Sequence, residues 1–178
     1  MLDRLDPLLR TWRWPAFALL ASIGMIAAAH IFERGFNFAP CPLCLRQREV
    51  YWAVVAMAGT ALLLWQVRQN PRFMMAVNVM LGLVFLTGAV VAGYHAGVEW
   101  GLLPPPTGCA AGAIDMGAID LDELNKAQAT ASCIDAPFIF AGLSMAGWNA
   151  VVSIGLSAIS FRAAGVVLSR QPSLSPAE

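Results

Sequence analysis

The sequence predicts an all-α integral membrane protein: a four-transmembrane-helix bundle with both termini cytoplasmic and a long outer loop between helices 3 and 4. Three observations carry that expectation. First, 58% of the 178 residues are hydrophobic and only 12% are charged, about half of the roughly 25% charge usual in soluble domains. Second, mean hydropathy is +0.65, and the apolar residues gather into runs at 15–32, 50–67, 73–94 and 138–161 that contain no Asp, Glu, Lys or Arg. Runs of that length cross a hydrocarbon core of about 30 Å as helices. Third, the arginines are distributed unevenly between the connections. The spans are placed at about 15–33, 45–67, 73–94 and 138–161, in a single membrane domain over 1–178 with an outer loop at about 95–137.

Orientation follows from the cations. Arg4, Arg10 and Arg13 precede the first span, Arg68 and Arg72 separate the second from the third, and Arg162 and Arg170 follow the fourth. The other side carries Arg34, Arg46 and Arg48, then only Lys126. The positive-inside rule therefore puts both termini in the cytoplasm. Arg46 and Arg48 run against this bias, an exception that a functional arginine explains. Trp12 and Trp14 at the inner boundary, with Tyr94 and Trp100 at the outer one, fit an interfacial aromatic belt,.

In chain order, a short cytoplasmic lead ends in aromatic anchors. The first span carries Ser22 and His30; a histidine there is a proton carrier or an interfacial residue. A cleavable signal peptide is the other reading of this run, flanked by Ala27-Ala28-Ala29-His30, but three more spans follow,. The second span ends at 67–72, where Pro71 blocks continuation,. The third carries Gly82, Gly88, Ala92 and Gly93, small residues that let membrane helices approach closely,. Three prolines, Pro104 to Pro106, hold the following chain extended. From 113 to 129 apolar and acidic residues alternate as in a short amphipathic helix on the outer leaflet or over the site, or as in a solvated loop,. The tail from Gln171 to Glu178 is expected to be disordered.

All four cysteines fall on the outer face. Cys41-Pro42-Leu43-Cys44 opens the second span, and Cys109 and Cys133 lie in the long loop. Topology pairs them as Cys41–Cys44 and Cys109–Cys133, although four cysteines allow three pairings. A helix beginning near Pro42 places Cys44 in its first turn, where the positive dipole end favours a thiolate. Arg48 follows one turn later and can share that face. A Cys-x-x-Cys loop closes little chain and so adds little entropic stability; reactivity is its usual value. Zinc is the alternative chemistry, but the second pair is widely spaced and His95 stands alone, so no metal is expected,.

Cys41-x-x-Cys44 followed at four by Arg48, four spans with both ends inside, and a second cysteine pair in the last outer loop resemble the DsbB family. These are bacterial inner-membrane proteins that re-oxidise a periplasmic thioredoxin-fold dithiol oxidase, DsbA, and pass the electrons to quinone. The resemblance covers the chain from the first span through the fourth. Segments 93–101 and 142–149 depart from the enterobacterial pattern and resemble a variant subgroup. The resemblance implies that reduced DsbA attacks Cys109–Cys133, forming a mixed disulfide at Cys109. The released dithiol then exchanges with Cys41–Cys44, brought near by loop movement, and Cys44 donates to ubiquinone or menaquinone. Arg48 would polarise the quinone carbonyl, with His95 a second contact. The membrane lipid and quinone pool are then partners, and no nucleic acid is expected.

Other readings remain at this point. A vitamin K epoxide reductase-like quinone enzyme shares the helix-bundle logic and Cys-x-x-Cys. A disulfide-stapled membrane scaffold without redox turnover needs no reactive thiolate. A transporter would need intramembrane charged residues, and the spans contain no acid–base pair of that kind,.

Overall fold

The computed structural model describes residues 12–107, 109 and 132–168. The segments expected as a cytoplasmic lead (1–11), an outer amphipathic helix (113–129) and a tail (171–178) lie outside the described residues. Among the described residues, four helices are long and apolar enough to cross a membrane: α1 (Arg13–Gly35), α2 (Pro42–Val67), α3 (Pro71–Glu99) and α4 (Met145–Leu168).

Local sequence sets the helix ends. Prolines open α2 and α3, where a missing N–H costs nothing because that donor has no intrahelical partner. Asn70 caps α3, its side chain accepting the Arg72 N–H at 3.0 Å. Only three residues separate α2 from α3, so the two helices run antiparallel,. At the other end of α3, Gly101 takes φ +70°. Its N–H reaches Val98 O and the Leu102 N–H reaches Gly97 O, the paired bonds of a Schellman cap, for which a left-handed glycine is the favoured residue. The helix therefore runs to Glu99, five residues beyond the boundary expected at Tyr94. His95 and Glu99 are helical, not part of a loop.

The fourth span begins later than expected. Residues 138–144, assigned to it by hydropathy, include β1 (Ile139–Phe140) and β2 (Leu143–Ser144), an antiparallel hairpin pairing Ile139 with Ser144 and Phe140 with Leu143. Ala141 and Gly142 turn it with φ of +50° and +83°, as a two-residue primed turn requires. Ser144 then accepts the Gly147 N–H at 3.1 Å, an N-cap contact that starts α4.

Packing is that of a protein solvated by lipid. Large apolar side chains such as Leu20, Leu63, Val90 and Ile154 face outward, while Ser22, Asn78, Ser153 and Ser160 are buried. Small residues set how closely α3 approaches α4 and α2. A Cβ on Gly82 would stand 2.8 Å from the Phe161 ring, and one on Gly88 would stand 3.0 Å from Val50 and 3.4 Å from Ser153. Gly93 meets nothing within 4 Å, so it has no such role. Trp14, expected in the aromatic belt, is buried instead and donates to Ser160 Oγ at 3.0 Å, joining α1 to α4. Trp100 stays exposed.

Candidate redox site

Cys41 is itself the N-cap of α2. Its backbone is extended, and its sulfur accepts the Cys44 N–H at 3.2 Å. One helical turn brings the two sulfurs to 2.8 Å apart, unbonded. From α3, His95 Nε2 lies 3.5 Å from Cys41 Sγ. Cys109 and Cys133 are joined as a disulfide with a Cα–Cα distance of 5.2 Å, and both are buried against Cys41 and Val98. The chain leading to Cys109 is held by Tyr94, whose hydroxyl donates to Pro104 O at 2.7 Å.

The sulfurs of Cys41 and Cys133 and a ring nitrogen of His95 lie within 4.8 Å of one another. The two cysteine pairs are therefore adjacent, where loop movement had been expected to bring them together. This trio is a conceivable metal set, but a Cys133 held in a disulfide offers no thiolate for a metal.

Cys41 is polarised toward its thiolate. Its pKa is pulled down to about 4, chiefly by the hydrogen bond from the Cys44 thiol. Burial opposes this, and His95 and the Cys44 backbone N–H add to the lowering. The sequence anticipates a helix-start thiolate at Cys44; the strongest lowering in this pair is at its N-cap neighbour, where the Cys44 thiol is the main donor and the Cys44 N–H a lesser one,.

Cys44 and Arg48 both line a cavity of about 610 Å³, within the range of small-molecule sites. Met25, Ala28, Phe32 and Val152 give it an apolar wall. Arg48 is not free in it: its guanidinium pairs with Glu33 at 2.5 Å and reaches Ala29 O at 3.4 Å. His30 Nδ1 lies 3.5 Å from the same carboxylate, at a partly exposed position. His95 borders the cavity as well, but both its ring nitrogens face protein groups: Nδ1 meets Gln47 at 2.9 Å, and Nε2 meets Cys41 and, at 3.7 Å, Glu99.

Sequence reasoning assigned no role in the site to Glu33, Gln47, Tyr51, Glu99 or Asn149. The available signal was polarity inside apolar spans, which marks function by default.

Four apolar helices and two adjoining cysteine pairs define a multi-pass membrane protein with thiol–disulfide chemistry at one end of its bundle. The sequence profile of the disulfide bond formation protein DsbB family matches residues 11–163, and the chain belongs to that family. It is 31% identical over 143 residues to disulfide bond formation protein B of Methylococcus capsulatus, covering 76% of this chain and 83% of the relative. Identity is 30% over 142 residues to the protein of that name from Albidiferax ferrireducens, covering 77% and 78%. An uncharacterised protein of Rickettsia prowazekii is 25% identical over 138 residues, covering 76% and 77%. No solved structure matches. Family membership makes the chain a disulfide bond formation protein.

Proposed function

We propose that this protein re-oxidises a periplasmic DsbA-like dithiol oxidase and passes the electrons through its two cysteine pairs to a membrane quinone, ubiquinone or menaquinone. Its setting would be the bacterial inner membrane, with the cysteines facing the periplasm. The observation that carries the reading is the continuous sulfur path: Cys133 within 4.8 Å of Cys41, Cys41 2.8 Å from Cys44, and Cys44 on the cavity wall with Arg48.

The steps balance as thiol–disulfide exchanges. A partner thiolate attacks Cys109, releasing Cys133 as thiolate, and the partner's second thiol resolves the mixed disulfide. Two electrons and two protons then reside on Cys109 and Cys133. Cys133 attacks Cys41 of an oxidised Cys41–Cys44 pair, expelling Cys44 as thiolate; Cys109 resolves the Cys41–Cys133 bond, leaving Cys41 and Cys44 reduced. A Cys41 thiolate is a good leaving group in that resolution, because low-pKa thiols leave faster.

The cavity suits a quinone by its donor set: a guanidinium and a thiol on a largely apolar wall. Quinone, when bound, supplies the two-electron acceptor. Arg48 is suited to hold developing negative charge, since a fixed cation in a water-poor site acts without reorganising. Two of its contacts are occupied and a guanidinium has five N–H donors,, so donors remain for the cavity. Glu33 keeps Arg48 oriented.

The test is quinone reduction by purified protein supplied with a reduced thioredoxin-fold oxidase. Wild type should turn over, Cys44→Ser should not, and Arg48→His should lose roughly tenfold or more in kcat/KM while melting near the wild-type temperature. Absence of turnover with ubiquinone and with menaquinone would overturn the proposal in favour of a stapled scaffold.

A further inference from the structure

Behind the sulfur cluster lies a row of buried side chains that the exchange steps do not use. Gln47 follows Cys44 by three residues on α2, and Tyr51 follows Gln47 by four, so the three share a face. Asn149 enters from α4 and His95 from α3. Gln47, Tyr51, Asn149 and His95 are all at most 8% exposed. In such an enclosed, apolar setting each polar group must find a partner among the others.

The bonds run in one direction. Tyr51 donates its hydroxyl proton to Asn149 Oδ1, and Ser153 Oγ donates to the same oxygen at 3.4 Å. Asn149 Nδ2 donates to Gln47 Oε1. Gln47 Nε2 is 2.9 Å from His95 Nδ1, and its N–H makes that ring nitrogen an acceptor. A neutral imidazole has one proton, so it must then sit on Nε2. Nε2 faces two acceptors, Cys41 Sγ at 3.5 Å and Glu99 Oε1 at 3.7 Å. Glu99 is held in place by the Ser144 hydroxyl, which donates to its other oxygen. With Cys41 as thiolate, the reverse polarity in a neutral ring would set a bare nitrogen lone pair against a sulfur and a carboxylate, with no donor among the three.

We propose that Gln47, Asn149 and Tyr51 are positioning residues that hold neutral His95 as its Nε2–H tautomer, aimed at Cys41. Glu99 completes the device by anchoring the ring from the far side. The consequence rests on the reading of Cys41 as an exchange sulfur: each time Cys41 becomes a thiolate, a donor is already oriented toward it. No proton leaves His95 in this role. The same tautomer blocks Nε2 as a metal ligand, since its lone pair is used by the proton, and so keeps the Cys41–His95–Cys133 trio available for exchange.

The experiment uses full-length, fully reduced protein in detergent micelles and two readouts. Nitrogen NMR of 15N-histidine protein reports the tautomer; the chain has two histidines, and a His30→Gln background leaves only His95. Alkylation by iodoacetamide as a function of pH, with the modified cysteine identified by peptide mass spectrometry, reports the Cys41 thiolate. The titratable and charged groups near His95 are Cys41, Cys44, Glu99 and, in the reduced protein, Cys133, with Glu33, Arg48 and Asp135 lining the same cavity; all remain intact in the variants. Wild type should show the Nε2–H form. Tyr51→Phe combined with Ser153→Ala, which removes both hydroxyls that donate to Asn149 Oδ1, should populate the Nδ1–H form and raise the Cys41 alkylation midpoint by about one pH unit. Gln47→Met, which keeps side-chain length but removes the partner of Nδ1, should leave the proton on Nε2, which still faces two acceptors, but raise the midpoint by loosening the ring. A wild-type His95 found as Nδ1–H or as imidazolium would overturn the inference. So would an unchanged tautomer in the double variant together with an unchanged midpoint in both variants. Neither readout needs quinone or a partner oxidase, so the result stands apart from the fate of the proposed electron path.

Discussion

A cysteine in the N-cap position replaces the usual hydroxyl or carboxylate acceptor with sulfur, and Cys41 takes the Cys44 N–H in that role,. Cap geometry and thiolate chemistry therefore reinforce one another at a single atom. In the reduced protein this links stability to pH. Cys41 binds fewer protons in the folded than in the unfolded chain, because its folded pKa is lowered. The stabilisation is complete above the unfolded thiol value and is lost as pH falls toward about 4,. Reduced wild type should accordingly gain melting temperature relative to Cys41→Ser as pH rises from about 5 to 8; parallel melting curves across that range would remove the thiolate from Cys41. The motif itself was legible because Cys41, Cys44 and Arg48 lie within one stretch of sequence. Their surroundings were not. Gln47 meets His95 across 48 residues and Asn149 across 102, and Arg48 finds its carboxylate 15 positions earlier on α1. Such pairings follow from how helices pack, and local spacing does not contain them.

At the scale of elements, α3 and α4 come together because glycines leave room where side chains would collide. A Cβ at Gly82 would meet the Phe161 ring at 2.8 Å, whereas the space beside Gly93 is open. Without a hydrophobic driving force between helices in lipid, close packing supplies much of the association energy. Gly82→Val should therefore lower the thermal stability of the detergent-solubilised protein, by about 1–3 kcal/mol for an overpacked contact. Gly93→Val should cost little. Partial recovery of Gly82→Val by Phe161→Ala would locate the clash, and equal stability of the two glycine variants would refute it. Sequence composition made both glycines look alike, since only the rotational setting of α3 against α4 distinguishes them. The hairpin before α4 escaped notice for a related reason. A short run such as Ile139-Phe140-Ala141-Gly142-Leu143 is apolar enough to continue a span, and periodicity alone does not separate a strand from buried helix over so few residues. The Ala-Gly turn and the Ser144 cap were the signals present.

Across the whole molecule, the four spans were readable because uncharged length is a property of the chain alone, while the convergence at one end of the bundle depends on three separated segments. The α2 N-terminus supplies Cys41, the α3 C-terminal turns supply His95 and Glu99, and the chain entering the hairpin supplies Cys133. The Schellman cap at Gly101 turns the chain back at the end of α3, and Tyr94 fixes Pro104 on the way to Cys109. With Cys109 bonded to Cys133, the base of the loop is held against the α2 cap. A bond between Cys41 and Cys133 then needs their sulfurs to close from within 4.8 Å to about 2.05 Å. We expect a variant carrying Cys44→Ser and Cys109→Ser to form a Cys41–Cys133 disulfide under mild oxidation, seen as a loss of two hydrogens by intact mass and mapped by non-reducing digestion. The control pairs Cys44 with Cys133, using Cys41→Ser and Cys109→Ser, and should close more slowly because Cys44 is not among the three atoms gathered at the cluster. If Cys41 and Cys133 instead remain separately alkylatable after oxidation, the two pairs do not meet in the resting fold. Electron transfer between them would then require the loop to travel.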